Sequence, residues 1–547
     1  MKKVAALAIS LAGATVFVCS AAVPADLNTR VDAVFARWNT STSPGCAVGA
    51  SVDGQPALAR AYGMADLEHD VKNMPETIFE AGSVSKQFTA AAVLLLAREK
   101  RLSLDDRVSK YIPELPESAS AVTIRHMLNH TSGLRDWGSI EAIAGWPRSS
   151  RAYTHAHVLE IVGRQRALNF TPGTKWSYSN TGYNLAAVIV ARVSGMPFAD
   201  FTRQRLFQPL GMAHTSWRDD YTRVVKGRAM AYDDESDGFH THMPFENVHG
   251  NGGLLTTVGD LLTWNENFTT PKVGDRSFVD EQQQPGRFTD GRAHDYAFGL
   301  MVRSSHGVRV VEHSGSTAGY QAHLIRYPDQ HVSVAVLCNS SSARATQYAH
   351  AVGELFLGDA VKKTTPAGAH ALTQAEIDRA AGVFRDSSSG MMMTLVADKN
   401  ELRIERGPAL VATSPTHFTT EAGEQIELNG RALRSVDAFG TVNSYERVTA
   451  FNPTRDQLQD LTGVYVSDEA DTTLTVALEG DALVARRRPD ATLKLTPVYT
   501  GAFTAPQLGL VIFRRDASGR VTQLSVAQDR VWDLRFARQP AGKSISQ

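Results

Sequence analysis

The stretch Ser83-Val-Ser-Lys-Gln-Phe-Thr-Ala-Ala-Ala-Val-Leu-Leu-Leu-Ala-Arg98 decides the fold and the chemistry expected of this 547-residue chain. Its alanine and leucine content predicts a buried helix with a small polar residue at its start. Ser83 and Lys86 are three residues apart, which places both side chains on one face of a helix. A serine hydroxyl becomes nucleophilic when a neighbouring base takes its proton, and burial can make lysine such a base.

The helix start adds to this prediction, because its free backbone N–H groups favour negative charge on Ser83 and on a substrate oxyanion. Taken alone, Ser-x-x-Lys is common, and the plain alternative is an N-cap serine followed by a solvated lysine. Two later motifs strengthen the prediction, Tyr178-Ser-Asn180 and His313-Ser-Gly315. Without the others, Tyr178 would be a core tyrosine and Asn180 a turn residue.

The three motifs resemble those of the superfamily of serine β-lactamases, penicillin-binding proteins and D-aminopeptidases. The resemblance extends over nearly the whole region from about residue 26 to 358 and includes the stretches 104–113, 123–134, 252–257 and 260–264. It implies a mixed α/β (α+β) catalytic domain with an antiparallel sheet and a helical lobe. The active site would lie between the sheet and the lobe. No cofactor is expected.

The resemblance also assigns the site residues. The catalytic residues would be Ser83, Lys86 and Tyr178, and the substrate-binding residues Asn180, His313, Gly315 and Ser316. Ser83 would form the acyl-enzyme, with Lys86 and Tyr178 sharing the proton transfers. Asn180 would orient Lys86 and the substrate amide, and the oxyanion hole would consist of the backbone N–H groups of Ser83 and Ser316.

His313 occupies the position where many relatives have lysine. A lysine there is a permanent charge for a substrate carboxylate, whereas histidine is largely neutral at pH 7. The substitution favours D-aminopeptidases and esterases of the superfamily over penicillin hydrolysis. It also predicts activity that rises with pH through the ordinary histidine range and persists in mild alkali.

Domain organisation follows from a change of pattern along the chain. Residues 26–362 alternate helical and strand patterns, with strands predicted at 46–52, 308–313, 321–327 and 332–338. After about residue 371 the chain consists of short strands, and Gly382-Val-Phe384 recurs as Gly463-Val-Tyr465, each copy preceded by a short helical pattern. Two tandem all-β units are therefore expected at 373–450 and 455–541, either barrels or small sandwiches.

This layout is similar to that of D-aminopeptidases, whose catalytic domain is followed by two β-barrels. In those enzymes a loop of the last barrel enters the active site and carries an aspartate that holds the substrate's free amine. The matching hairpin here, residues 499–508, is short and has no acidic residue. Strict aminopeptidase specificity is therefore in doubt.

The N-terminus has the order of charge, apolar core and small residues typical of a secretory signal peptide, with Lys2 and Lys3 before the apolar run 4–18. Cleavage after Ala22 or Ala25 is predicted, which would make the protein secreted or periplasmic, without stable membrane insertion. The alternative is a single-pass anchor, but the run is short for a membrane span.

Charge and cysteine content limit the partners and the compartment. Loss of the two leader lysines changes the net charge from −1 to −3, and this near balance argues against nucleic acid or an anionic membrane as the main partner. Cys46 and Cys338 remain, and the sequence alone leaves open a disulfide or two buried thiols. The resemblance places the first and last strands side by side in opposite directions, which implies the disulfide.

These observations predict a serine hydrolase that acts through an acyl-enzyme on D-amino-acid peptides, amides or esters, or on peptidoglycan-derived peptides. D,D-carboxypeptidase and weak β-lactamase activity remain open within that class, and a non-catalytic binding or sensing protein is the alternative. The partner would be a small substrate, and no oligomeric state is predicted. Histidine pairs at 155/157 and 240/242 lack further ligands at suitable spacing, so no metal is expected.

Overall fold

The computed structural model describes residues 25–362, 370–420 and 423–540. The predicted signal peptide and its cleavage after Ala22 lie outside these residues, as do residues 363–369 at the predicted boundary between the catalytic region and the β-units. Of residues 1–25, only the backbone of Ala25 is described, as the first residue of a helix.

The strands of the first region build a six-stranded antiparallel sheet, a small three-stranded sheet and two short pairs. They are β1 (Cys46–Val52), β2 (Gln55–Tyr62), β3 (Met64–Asp66), β4 (Val71–Lys72), β5 (Phe79–Glu80), β6 (Ser216–Trp217), β7 (Tyr232–Glu235), β8 (Gly238–Thr241), β9 (Leu254–Thr256), β10 (Met301–Ser305), β11 (Val308–Thr317), β12 (Tyr320–Tyr327) and β13 (Val332–Cys338). The order in the main sheet is β10-β11-β12-β13-β1-β2. The predicted strands 46–52 and 332–338 are confirmed as they stand, and the other two are longer than predicted.

The first and last strands of the region are neighbours in the middle of this sheet. β1 and β13 run antiparallel, and their register sets Cys46 directly opposite Cys338. The two residues form a disulfide across a Cα–Cα distance of 4.0 Å, which confirms the pairing that the resemblance implies. The bond closes a loop of nearly three hundred residues, and long closed loops restrict the unfolded chain most.

Helices cover both faces of the sheet. They are α1 (Ala25–Val34), α2 (Lys86–Arg98), α3 (Ile124–Leu128), α4 (Trp137–Ala144), α5 (His155–Gly163), α6 (Asn180–Ser194), α7 (Phe198–Thr202), α8 (Gln208–Leu210), α9 (Val258–Glu266), α10 (Arg276–Gln282) and α11 (Ala345–Leu357). α1 and α11 pack on one face through an apolar cluster that includes Val31 and Val336. α9 packs on the other face, and the helices around α6 form the lobe beside α2. The predicted sheet-and-lobe architecture is confirmed.

Two all-β units follow. The first has α12 (Gln374–Ala380) and the strands β14 (Gly382–Asp386), β15 (Met392–Asp398), β16 (Glu401–Ile404), β17 (Val411–Ala412), β18 (His417–Thr419), β19 (Gln425–Asn429), β20 (Ala432–Val436) and β21 (Val442–Val448). The second has α13 (Arg455–Asp460) and the strands β22 (Gly463–Ser467), β23 (Thr472–Glu479), β24 (Ala482–Arg487), β25 (Ala491–Tyr499), β26 (Ala502–Ala505), β27 (Gly509–Arg515), β28 (Val521–Gln528) and β29 (Val531–Arg538). The first unit is an eight-stranded antiparallel sheet and the second a closed barrel, so each copy of the repeat is a short helix followed by eight strands.

Both β-units contact the catalytic region beside the predicted site. The buried Arg135 guanidinium donates to the Glu469 carboxylate of the second unit over 2.8 Å. The indole ring of Trp176 stacks on Phe439 of the first unit, with ring centroids 3.7 Å apart. Because Trp176 precedes Tyr178 by two residues, the first unit supports the loop that carries this predicted catalytic residue.

Across the described ranges no single helix is long and apolar enough to cross a bilayer. One strongly bent pair, Asn180–Ser194 and Phe198–Leu210, has the length and composition for it only when the two helices are taken together.

Candidate active site

The chain enters α2 through a tight 3₁₀ turn, Gly82–Ser85, which places Ser83 just before the helix rather than inside it. The Ser85 hydroxyl donates to the Gly82 carbonyl over 2.6 Å and accepts from the backbone N–H of Leu254 over 3.1 Å. These bonds fix the turn against β9. Ser83 itself is half-buried and faces an open pocket, as a nucleophile must.

Lys86 is fully buried behind Ser83. Its Nζ lies 3.0 Å from Ser83 Oγ, 3.0 Å from Asn180 Oδ1 and 2.7 Å from the carbonyl oxygen of Asn251. Burial, followed by the positive charges of two nearby arginines, holds the pKa of Lys86 well below its ordinary value of 10.5. A neutral amine has two N–H donors and one lone pair. The two carbonyl-type oxygens take the donors, so the lone pair is directed to the Ser83 hydroxyl.

The pKa of Tyr178 is shifted in the opposite direction from that of Lys86. Desolvation raises the pKa of Tyr178 well above its ordinary value, and a hydrogen bond with the Ser83 side chain opposes this only in part. The Tyr178 ring lies 4.7 Å from Lys86 Nζ. Tyr178 is therefore a proton donor at neutral pH, while Lys86 is the group able to accept a proton.

Asn180 begins α6, and its position depends on residues that the sequence motifs do not contain. Its backbone N–H donates to Asp136 Oδ2 over 2.7 Å, and Asp136 is itself the N-cap of α4. Asn184, one helical turn further along, donates to Asn251 Oδ1 over 2.6 Å. Asp136 thus positions Asn180, and Asn184 positions Asn251. Asn180 and Asn251 supply the two oxygens that orient Lys86, and only the folded structure reveals these roles.

His313 lies on β11 and is 1% exposed. Its Nδ1 is 2.6 Å from the carbonyl oxygen of Ser314 and must donate there, so Nε2 accepts from the Tyr296 hydroxyl at 2.9 Å. Burial, followed by the charge that Lys86 carries when it is protonated, lowers the pKa of His313 to about 3. His313 is therefore neutral, but both nitrogens are bonded within the protein and neither is left to bind a substrate carboxylate. A rise of activity through the ordinary histidine range, as expected from the sequence, does not fit a pKa near 3.

We therefore expect the acid limb of the pH profile to belong to Lys86. Since its folded pKa is lowered, log kcat/KM should rise as pH increases to that pKa and stay level above it. The variant His313→Gln should keep the limb in place, measured as kcat/KM between pH 5 and 9 with a neutral ester. Disappearance of the limb in this variant would instead assign it to His313.

Gly315 allows β11 to cross the turn that carries Ser83. A Cβ atom built on Gly315 would lie 2.0 Å from the carbonyl oxygen of Ala81 and 3.0 Å from the backbone nitrogen of Ser83. Gly82 has φ +49°, and its Cβ would lie 2.6 Å from the nitrogen of Ser316. The two glycines thus let the backbone nitrogens of Ser83 and Ser316 approach one another, as an oxyanion hole requires.

His130 is a further residue of the site that the motifs do not identify. Its ring is buried 4.3 Å from that of Tyr178, and Nδ1 accepts from the backbone N–H of Ser179 over 3.2 Å. Burial holds the pKa of His130 well below the usual range, so the ring is neutral. It packs behind the ring of Tyr178. It lies within the 123–134 stretch of the family resemblance, which was its only signal in the sequence.

A pocket of about 700 Å³ opens over Ser83. Its lining includes every predicted site residue except the buried Lys86, together with Arg148, Trp176, Asn251, Gly252, Gln321, Arg344 and Arg530. The second barrel therefore reaches the pocket, but through Arg530 in the turn between β28 and β29. The hairpin 499–508 contributes no residue to the lining. The prediction from the sequence that this hairpin is the barrel loop at the active site is therefore wrong.

The paired histidines have local partners. His155 Nε2 lies 3.0 Å from the His249 carbonyl oxygen, and His157 takes part in the N-terminal capping box of α5. His240 and His242 each contact an aspartate on the exposed β7–β8 hairpin.

A sheet with a helical lobe and a serine activated by a buried lysine define a serine hydrolase. The sequence profile of the family described as Beta-lactamase matches residues 31–355, more than half of the chain. The protein belongs to the Beta-lactamase family.

Several known proteins are similar to this chain. It is 29% identical to penicillin-binding protein 4* of Bacillus subtilis over 55% of this chain and 69% of the relative. It is 25% identical to a D-aminopeptidase of Brucella anthropi over 88% of this chain and 93% of the relative. The octameric penicillin-binding protein homologue of Pyrococcus abyssi shares the fold, with a TM-score of 0.55 and 22% identity over 77% of this chain and 99% of the homologue.

Proposed function

We propose that the protein hydrolyses amides, peptides or esters of D-amino acids through an acyl-enzyme at Ser83. The observation that carries the proposal is the hydrogen-bond pattern of Lys86, whose two N–H donors are taken by Asn180 and Asn251 while Ser83 Oγ lies 3.0 Å away. An N-cap serine with a solvated lysine would not bury the amine completely. A binding or sensing protein would have no need for this arrangement.

In the first half-reaction, Lys86 takes the proton from Ser83 Oγ as that oxygen attacks the substrate carbonyl. The new C–O bond forms, and the backbone N–H groups of Ser83 and Ser316 stabilise the oxyanion. Tyr178 delivers a proton to the leaving nitrogen or oxygen as its bond to carbon breaks, and is reprotonated from Lys86. In the second half-reaction, Lys86 takes a proton from water as the water oxygen bonds to the acyl carbon. The bond from that carbon to Ser83 Oγ then breaks, and Lys86 returns the proton to Ser83 Oγ, which releases the acid and restores the enzyme.

The substrate class rests on the similarity to a D-aminopeptidase that extends over 88% of this chain. D,D-carboxypeptidase and weak β-lactamase activity use the same acyl-enzyme and belong to the same proposal. We also place the protein outside the cytoplasm, as a secreted or periplasmic enzyme. The buried Cys46–Cys338 disulfide supports an oxidising compartment.

The test is covalent labelling. The protein is incubated with a fluorescent penicillin, a D-alanine p-nitroanilide and a short-chain p-nitrophenyl ester, and tryptic peptides are examined by mass spectrometry. We expect an adduct on the peptide that contains Ser83, and turnover of the ester or the anilide. Ser83→Ala should lose both, whereas Ser518→Ala, a change at an exposed serine on the second barrel, should keep both. Absence of adduct and turnover in the wild type would overturn the proposal.

A further inference from the structure

The turn between β28 and β29 is fixed against the catalytic region by backbone bonds. The carbonyl of Arg530 accepts from the Asp136 N–H over 3.2 Å and from Asn169 Nδ2 over 3.0 Å. The N–H of Trp532 donates to Asn169 Oδ1 over 2.8 Å. Asp136 also caps α4 and holds the N–H of Asn180. Asp136 therefore contacts both Asn180, through its carboxylate, and this turn, through its backbone N–H.

The side chain of Arg530 projects into the pocket. Its guanidinium carbon lies 4.8 Å from the centre of the Tyr178 ring. Among the described residues, this guanidinium has no ion-pair partner and no hydrogen-bond acceptor. An arginine held by its own backbone at a reaction centre, with its donors unused, has five N–H groups available to a ligand.

The charged side chains that line this pocket are all arginines. Arg344 lines the same pocket and is exposed, and its guanidinium donates to the amide oxygen of Gln347 at 3.5 Å. Arg148 also lines it but is ion-paired with Glu246. No aspartate or glutamate occurs among the lining residues that the structure describes. His313, which also lines the pocket, is neutral because burial lowers its pKa to about 3.

We propose that Arg530, assisted by Arg344, binds a carboxylate of the substrate, so that the enzyme selects anionic substrates over those with a free amine. A guanidinium binds a carboxylate through two parallel hydrogen bonds, which adds direction to the charge attraction. Arg530 thus brings positive charge to the pocket from the second β-unit, whereas the neutral His313 on β11 brings none. This inference rests on the proposed function and names the substrate class of the same site.

The carboxylate can belong to the acyl part of the substrate or to its leaving group, and two pairs of substrates distinguish these sources. N-succinyl- and N-butyryl-D-alanine p-nitroanilide differ in an acyl-side carboxylate. The N-acetyl-D-alanine amides of 4-aminobenzoic acid and of 4-methylaniline differ in a leaving-group carboxylate. For at least one pair, we expect kcat/KM of the wild type to be about 10- to 100-fold higher for the anionic member.

In Arg530→Ala we expect that anionic-to-neutral ratio to fall by about tenfold or more, and in Arg530→Glu to drop below one. The matched control is Arg520→Ala, an exposed arginine in the turn at the opposite end of β28, which should keep the wild-type ratio. If a variant is too slow to assay, binding of 3-carboxyphenylboronic acid relative to phenylboronic acid measures the same preference. Thermal unfolding checks that each variant is folded.

Turnover of both members of each pair at equal rates, or a ratio that Arg530→Ala leaves unchanged, would overturn this inference and leave the proposed function intact. Absence of any turnover together with absence of a Ser83 adduct would instead overturn the proposed function, and this inference with it.

Discussion

Replacement of Lys86 by methionine is expected to lower kcat/KM by about 10⁴-fold. Apart from replacement of the nucleophile Ser83 itself, this is the largest effect that we expect. Methionine has nearly the length of lysine and no charge, so it fills the buried site between Ser83 and Asn180. It removes the group whose lone pair faces the Ser83 hydroxyl. Tyr178 cannot take over, because burial raises the pKa of its hydroxyl well above the neutral range.

The same variant should remain folded. The oxygens of Asn180 and Asn251 each lose a donor, at a cost of about 1 to 3 kcal/mol for a buried group. Methionine also removes the free-energy cost of burying an amine, and this stabilising change opposes the loss of the two hydrogen bonds. Urea unfolding should therefore show a change of only a few kcal/mol, while stopped-flow acylation with a p-nitrophenyl ester shows the loss of rate.

The control for Lys86→Met is Lys110→Met, at an exposed lysine that forms an ion pair with Asp106 on the surface of the helical lobe. It should keep wild-type kinetics. Retention of more than a tenth of the activity by Lys86→Met would show that another group takes the proton from Ser83, and Tyr178 would then be the next residue to replace.

Sequence reasoning succeeded at this site where spacing along one element sets the geometry. Ser83 and Lys86 lie one turn apart, so any helical start brings them together. The strand pattern of residues 46–52 and 332–338 likewise gave elements that the structure keeps residue for residue. Their pairing, and with it the disulfide, came from the family resemblance.

The residues that the sequence did not reveal act through tertiary contacts. Asn251 binds Lys86 through a backbone carbonyl, which no side-chain motif records. The pKa of His313 depends on burial, which lowers it to about 3 although the residue type suggests 6.5. The prediction that the hairpin 499–508 is the barrel loop at the active site was wrong for the same reason, since the loop's position depends on tertiary contacts. Which turn of a closed barrel faces the catalytic region is decided by contacts such as the buried Arg135–Glu469 ion pair, hundreds of residues apart in the chain.

The two β-units therefore contribute to the site in different ways. The first packs Phe439 on Trp176 and so supports the loop of Tyr178 from outside the pocket. The second supplies Arg530, whose guanidinium lies over the Tyr178 ring. Its charge also contributes to the lowered pKa of Lys86, after the larger effect of burial. One barrel turn can thus affect both the choice of substrate and the basicity of the catalytic lysine.

Replacement of Gly315 by alanine should lower kcat by about 10²- to 10³-fold, the loss expected when an oxyanion-hole donor is displaced. The new Cβ would lie 2.0 Å from the Ala81 carbonyl oxygen. That contact is with backbone, so no side-chain rotation relieves it, and β11 must move away from the turn that carries Ser83. The N–H of Ser316 then leaves the position where it meets the substrate oxyanion.

The kinetic signature separates this mechanism from simple loss of binding, because an oxyanion-hole donor acts mainly in the transition state. kcat and kcat/KM should fall together, with KM little changed. The control is Gly259→Ala in α9, where a Cβ would meet only a hydroxyl oxygen at 3.8 Å and φ is not in the left-handed region. That variant should keep wild-type kcat. A Gly315→Ala enzyme with wild-type kcat would mean that β11 tolerates the shift and that Ser316 does not stabilise the oxyanion.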